Sequence, residues 1–223
     1  MIYVISLGGS VIIKDKINID FLTKFSKLIK KYSHRNKFVI VTGGGSTARK
    51  YMSSLTNFHL DRQKIGLIGI AVTQLNANLL KSIMKINSKI NSIKDIRNLL
   101  KKQSIVITGA FKYLPNATSD GNCAQLAHYI KADLFINITN VKGLFDKDPR
   151  SHQNAKLLKK ITYDKFNLLM HKIKFSYGQH FILDQTASKL IKKHKIKTII
   201  IGEKLTNLEK VFQSKSFVGT TIN

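Results

Sequence analysis

The sequence predicts a layered α/β fold built around a mostly parallel sheet. Short, continuously apolar runs, suited to strands buried on both faces, alternate with stretches of helical periodicity. Several of these runs end in glycine-rich or hydroxyl-bearing turns, where a strand hands over to the next segment. The 223 residues contain 2 prolines and no glycine- or serine-rich linker, so they read as one domain, 1–223, long enough to bury a full core.

The elements follow in order. Residues 2–7 form an apolar run closed by Gly8-Gly9, the pattern of a buried strand. Asn18 or Asp20 can cap a helix whose apolar positions Phe21, Leu22, Phe25, Leu28 and Ile29 keep helical spacing, with Lys24, Lys27, Lys30 and Lys31 turned to water. Residues 38–41 read as a second strand, ended by Gly43-Gly44-Gly45. A helix over 46–55 follows, then a longer one near 63–84 carrying Ile65, Ile68, Val72, Leu75, Leu79 and Ile83. Strands are expected over 105–107, 134–138 and 198–201, with helices over 120–130 and 186–193 between them. Thr220-Thr221-Ile222 is expected to close the sheet.

Lys and Arg number 38 against 12 Asp and Glu, a net charge of +26. Such a balance points first to nucleic acid or another polyanion. However, the lysine pairs 30–31, 101–102, 159–160 and 192–193 fall at helix ends and faces. No basic stretch is interleaved with aromatics as single-strand platforms require, so nucleic acid is not the expected partner. The single cysteine, Cys123, forbids an intramolecular disulfide and a cysteine-based metal cluster. The 7 histidines show no metal-ligand spacing. The first residues lack a basic start and a cleavage site, and no apolar stretch of membrane-spanning length is expected. The expected location is the cytoplasm.

Ligands of open parallel sheets gather beyond the carboxyl ends of the strands. Leu7-Gly8-Gly9-Ser10, Thr42-Gly43-Gly44-Gly45-Ser46-Thr47, Thr108-Gly109-Ala110 and Thr139-Asn140-Val141-Lys142-Gly143 stand at such ends. Glycines let backbone N–H groups approach a phosphate, and a helix opening at Ser46 adds its N-terminal partial charge, with Arg49 one turn in. Neither glycine loop is a Walker A, and the second does not satisfy the dinucleotide fingerprint. Thr118-Ser119-Asp120 reads equally as a helix cap or as part of a second phosphate site. Asp184 reads as a cap first and a catalytic carboxylate second.

Taken in order, these segments resemble the amino-acid kinase superfamily, and within it the archaeal-type UMP kinases. The resemblance rests on Val39 through Arg49, Gly69-Ile70 with Leu75-Asn76-Ala77, Thr118-Ser119-Asp120, Lys131-Ala132-Asp133 and Ile138 through Phe145 with Asp148-Pro149. Ile182-Leu183-Asp184 with Ala187 and Lys189, Ile196 through Gly202, and Gly219 through Ile222 complete it, so it spans essentially the whole chain. It implies a three-layer αβα sandwich and transfer of the γ-phosphoryl group of ATP to UMP. The half up to about residue 120 would bind the acceptor and the remainder ATP with Mg²⁺. A homo-oligomer, usually a hexamer, is also implied. Gly9, Ser10, Gly45 and Arg49 would touch the ATP phosphates, and Thr139, Asn140, Phe145 and Asp148 would hold the adenosine. Gly44, Gly66, Tyr113, Leu114, Pro115, Asn116, Ala117, Thr118 and Ser119 fall at UMP positions, and Arg49, Asp120 and Asp184 in the catalytic set. No protein-held metal is implied, the Mg²⁺ travelling with ATP.

The chain also departs from that pattern. Ser6 stands where many members carry a lysine on the first strand, leaving Lys14, Lys112 and Lys142 as candidate replacements. Lys142 itself replaces an aspartate, and Gly66 falls where relatives have the aspartate that reads the UMP ribose, so that a carboxylate at 66 is expected to improve UMP binding. The loop between Gly109 and Asp120 is longer than usual. These departures keep two alternatives open: a catalytically degenerate nucleotide-binding protein of the same fold, and a kinase for another small phosphate such as isopentenyl phosphate.

Overall fold

The computed structural model describes residues 1–114, 117–147, 149, 152–172 and 183–223, apart from the side chains of Thr56 and Lys172. Seven strands form one sheet in the order β3-β2-β1-β4-β6-β7-β5. They are β1 (Ile2–Leu7), β2 (Lys37–Thr42), β3 (Ile105–Thr108), β4 (Leu134–Thr139), β5 (Lys160–Ile161), β6 (Thr198–Gly202) and β7 (Gly219–Ile222). All neighbours pair in parallel except β6 and β7. The described helices are α1 (Gly9–Ile12), α2 (Ile19–Tyr32), α3 (Gly45–Ser54), α4 (Arg62–Met84), α5 (Ile93–Lys102), α6 (Ser119–Tyr129), α7 (Tyr163–Lys172), α8 (Gln185–His194) and α9 (Leu205–Phe212).

Continuously apolar strands need cover on both faces, and alternation along each strand supplies two separate cores. Tyr3, Ile5 and Leu7 of β1 join Phe38, Ile40, Ile136, Ile138 and Ile201 against α2, α4 and α9. On the other face, Val4, Val39, Val41, Phe135 and Ile200 pack on α5, α6, α7 and α8. The three-layer αβα sandwich is therefore present.

Most expected elements lie within a residue or two of their predicted bounds. The helix α5 is not among them, although Ser92 and Asp95 form a reciprocal capping box that marks its start. The helices α7 and α9 and the short edge strand β5 are likewise additions. One expectation is corrected. Over its 23 residues, α4 is long and apolar enough, by length and composition, to cross a membrane. In the fold it lies on the sheet, where Val72, Ala77, Leu80 and Met84 are buried.

A candidate phosphoryl-transfer site at the switch point of the sheet

From β1 the chain proceeds outward to β2 and β3, then returns to place β4 on the other flank of β1. The strand order therefore reverses between β1 and β4, and open α/β sheets form their ligand crevice beyond the carboxyl ends of such a pair. Gly8 donates its N–H to the Ile138 carbonyl at 2.9 Å, and Gly43 donates to that of Leu7 at 2.9 Å, joining the loops after β1, β2 and β4. The first two glycine loops interlock. A Cβ on Gly9 would collide with the Gly45 nitrogen, and one on Gly43 would lie 2.5 Å from the Gly9 nitrogen. Gly45 has φ +67°, a conformation that glycine alone adopts cheaply, and it opens α3. Gly9, Gly43 and Gly45 are thus packed backbone to backbone at the head of a helix. Arg49 lies one turn into α3, half-buried, without an ion pair among the described residues.

The second half of the crevice is an acid pair. Asp120, in the first turn of α6, accepts the Ser6 hydroxyl at 2.6 Å, and Thr118 reaches it at 3.3 Å. Asp184 is fully buried and caps α8, accepting the Ala187 N–H at 2.7 Å. Its other oxygen accepts from the Thr118 N–H at 2.7 Å, the Thr118 hydroxyl at 2.9 Å and the Gly121 N–H at 3.1 Å. Burial, and then the Asp184 charge, push Asp120 up to about 7, against the pull of the Ser6 and Thr118 bonds. Burial raises Asp184 as well, with its three N–H partners and the Thr118 hydroxyl opposing. In sequence, Ser6 reads as the place of an absent lysine. In the fold it ties β1 to this pair.

Three further polar residues, Thr73, Gln74 and Asn76, set the crevice wall from α4. Thr73 accepts the Thr42 hydroxyl on its carbonyl at 2.8 Å and the Ala110 N–H on its own hydroxyl at 2.9 Å. Gln74 brackets the loop after β3, accepting from Gly109 at 3.3 Å and donating to the Ala110 carbonyl at 2.9 Å. Asn76 donates to the Gly43 carbonyl at 2.7 Å. Polar side chains inside an otherwise apolar helical pattern are the signal that could have found them.

The amino acid kinase family model matches residues 1–202. Uridylate kinase of Thermoplasma volcanium is 34% identical over 221 residues, covering 98% of this chain and 96% of that protein. Uridylate kinase of Methanococcus aeolicus is 34% identical over 225 residues, covering 99% and 98%. The crystal structure of uridylate kinase from Archaeoglobus fulgidus superposes with a TM-score of 0.87 at 32% identity, over the full length of both chains. The chain belongs to the amino acid kinase family.

Thr139 ends β4, buried, with its hydroxyl 3.4 Å from the exposed Asn140 side chain. Phe145 is half-buried and bridges to Leu157. The Ala117 N–H bonds the Leu114 carbonyl at 3.3 Å, Thr118 caps α6, and Ser119 begins it. Asp148, Pro115 and Asn116 lie outside the described residues. Of the candidate cations, Lys14 pairs with Glu203 just after β6 at 3.2 Å. Its backbone carbonyl accepts the Ser46 hydroxyl of α3. Lys142 is exposed beside Gly202, and Lys112 is exposed with its backbone held by Asn122. The expected carboxylate site at 66 meets an obstacle: a Cβ on Gly66 would lie 2.6 Å from the Tyr113 ring.

Proposed function

We propose that the chain is a Mg²⁺-dependent UMP kinase, moving the γ-phosphoryl group of ATP to UMP in pyrimidine nucleotide biosynthesis. The observation that carries this reading is the crevice between β1 and β4. There two interlocked glycine loops follow β1 and β2, and Ser6 near the end of β1 holds one member of a carboxylate pair. Relatives 34% identical across nearly their whole length are named uridylate kinases.

In the reaction an oxygen of the UMP phosphate bonds to the γ-phosphorus as the bond to the β–γ bridging oxygen breaks, releasing ADP and forming UDP. The acceptor phosphate has a second pKa of about 6 and is already anionic at pH 7, so no general base is required. What remains is to hold two polyanions in line and to neutralise the charge on the transferring group. Amide groups of Gly9, Gly44 and Gly45, the N-terminus of α3 and the side chain of Arg49 suit that task. Ser10 extends the ATP phosphate contacts. Thr139, Asn140, Phe145 and Asp148 border the adenosine. Gly44, Gly66 and residues 113–119 border UMP.

Among the described residues no group of three or more His, Cys, Asp or Glu could hold a metal ion, and both oxygens of Asp184 are taken by protein donors. This donor set fits a Mg²⁺ that arrives on the nucleotide phosphates, whose charge it would neutralise. Asp184 acts as a positioning residue that pins the start of α6 to the start of α8. Asp120, held by Ser6, is the carboxylate nearest the strand end.

A homo-oligomer completes the reading. On α4, Leu67, Ile68, Ala71 and Leu75 recur at helical spacing on the exposed side. Tyr51 and Phe58 are exposed at 59% and 67% on the segment that leads into that helix. Such a stripe suits a second copy of the same surface, with hexamers built from such pairs. The cytoplasm, where ATP and UMP are available, is its expected location.

The test is turnover. Purified protein with ATP and Mg²⁺ is offered UMP, CMP, AMP or isopentenyl phosphate, and UDP is the expected product. No UDP above background would overturn the reading. ATP binding without turnover of any acceptor would instead identify a degenerate nucleotide-binding protein, and isopentenyl diphosphate alone a different kinase.

A further inference from the structure

We propose that Tyr113 is the acceptor-specificity residue of this chain, seated on a notch that Gly66 leaves in α4. The proposal rests on the UMP kinase reading above and adds how the acceptor is recognised.

The loop leaving β3 is held on two sides before it reaches Tyr113. Gly109 and Ala110 are clamped to Thr73 and Gln74 of α4. Asn122 of α6, itself buried, accepts the N–H groups of Phe111 and Lys112 at 3.3 and 3.1 Å and donates to the Lys112 carbonyl at 2.9 Å. Tyr113 is the next residue, so its backbone has little freedom. Gly66 precedes Thr73 by seven residues, two helical turns, and so shares the face of α4 that meets this loop. There the Cδ2–Cε2 edge of the Tyr113 ring occupies the space of a side chain. A Cβ on Gly66 would stand 2.6 and 2.7 Å from those two atoms.

The ring can lie in that place only because residue 66 has no side chain. Even alanine must drive the ring away, because the loop behind it is anchored and the helix backbone cannot yield cheaply. Position 66 thus offers the crevice an aromatic wall in place of any group from α4. A ring suits the flat face of a nucleobase or the apolar face of a sugar, and it supplies no carboxylate to accept the ribose hydroxyls. The acceptor is therefore read by shape against Tyr113, and UMP and 2′-deoxy-UMP are used alike.

The experiment combines steady-state kinetics with a double-mutant cycle. Tyr113→Ala and Gly66→Ala are each expected to raise KM for UMP roughly tenfold, with KM for ATP unchanged. The double variant should be no worse than Tyr113→Ala alone, because both remove the same contact. Tyr113→Phe keeps the ring and should stay near the parent. Wild-type kcat/KM for UMP and 2′-deoxy-UMP should agree within about threefold. Alanine is the better helix former, so Gly66→Ala is expected to stay folded, which a thermal melt checks. Additive effects, an unchanged KM for UMP after Gly66→Ala, a Tyr113→Phe as impaired as Tyr113→Ala, or strong preference for UMP over 2′-deoxy-UMP would each overturn the proposal. A wild-type protein that phosphorylates neither acceptor would defeat the kinase reading itself, a result distinguishable from all of these.

Discussion

Asp120 and Asp184 face each other across the Thr118 hydroxyl, and no lysine or arginine pairs with either among the described residues. Two buried carboxylates without a cation do not both ionise cheaply. Burial, and then the Asp184 charge, push Asp120 up to about 7, and the Ser6 hydroxyl, a donor without a positive charge, only partly offsets them. The sign of the stability effect follows from linkage. Between the ordinary carboxylate range and about 7, the native state keeps a proton that the unfolded chain has released. That contribution is complete below the unfolded pKa and is lost as pH rises through the folded one. Asp120→Asn removes the titration. The melting temperature of the wild type, measured against that variant without nucleotide, should therefore fall progressively between about pH 4 and pH 7. A constant difference across that window would show that Asp120 is ionised throughout.

Among the elements, α4 does two jobs on opposite faces. Its inner face carries Thr73, Gln74 and Asn76, which hold the ends of β2 and β3, while its outer face carries Leu67, Ile68 and Leu75. Leu75 is 62% exposed. Leu75→Asp should cost the isolated subunit less than about 0.5 kcal/mol, since no packed neighbour is lost. The same change places a charge against its own copy in the proposed pair and should shift the protein toward monomer, as read by analytical ultracentrifugation. An unchanged assembly would remove this face from the interface. The segment was legible as a helix from its apolar period. The division of labour between its faces was not, because a period of 3.6 does not say which neighbour each stripe will meet.

Across the whole molecule, the net charge of +26 finds few partners. Among the described residues the pairs Lys24–Asp20 and Lys192–Asp164 are exposed, and Lys14–Glu203 and Lys31–Glu209 are partly covered on the glutamate side only. Exposed pairs of this kind contribute little to stability, so self-repulsion among the surplus lysines outweighs them. Raising NaCl from about 0.05 to about 0.5 M shortens the screening length below the spacing of most surface charges and should raise the melting temperature by a few degrees. A flat or falling response would mean that the charges are already too dispersed to interact. The lysine pairs 30–31, 101–102 and 192–193 occupy the last turns of α2, α5 and α8, where their charge complements the negative end of the helix dipole.

By itself the sequence determined the layered α/β class, the order of most elements, the glycine turns at the strand ends and the family. Those properties are written in local composition and spacing. It left α5, α7 and α9 unread, since helices of 10, 10 and 8 residues repeat their apolar period over fewer than three turns. Only the tertiary structure decided that β1 lies inside the sheet between β2 and β4, and that Ser6 meets Asp120 from 114 residues away. It also decided that Gly9 and Gly45 interlock, and that the Tyr113 ring occupies the place a side chain at Gly66 would need. Each of these is a contact between segments remote in the chain. Its distance is set by how the sheet and helices pack, and no local pattern of residues encodes it.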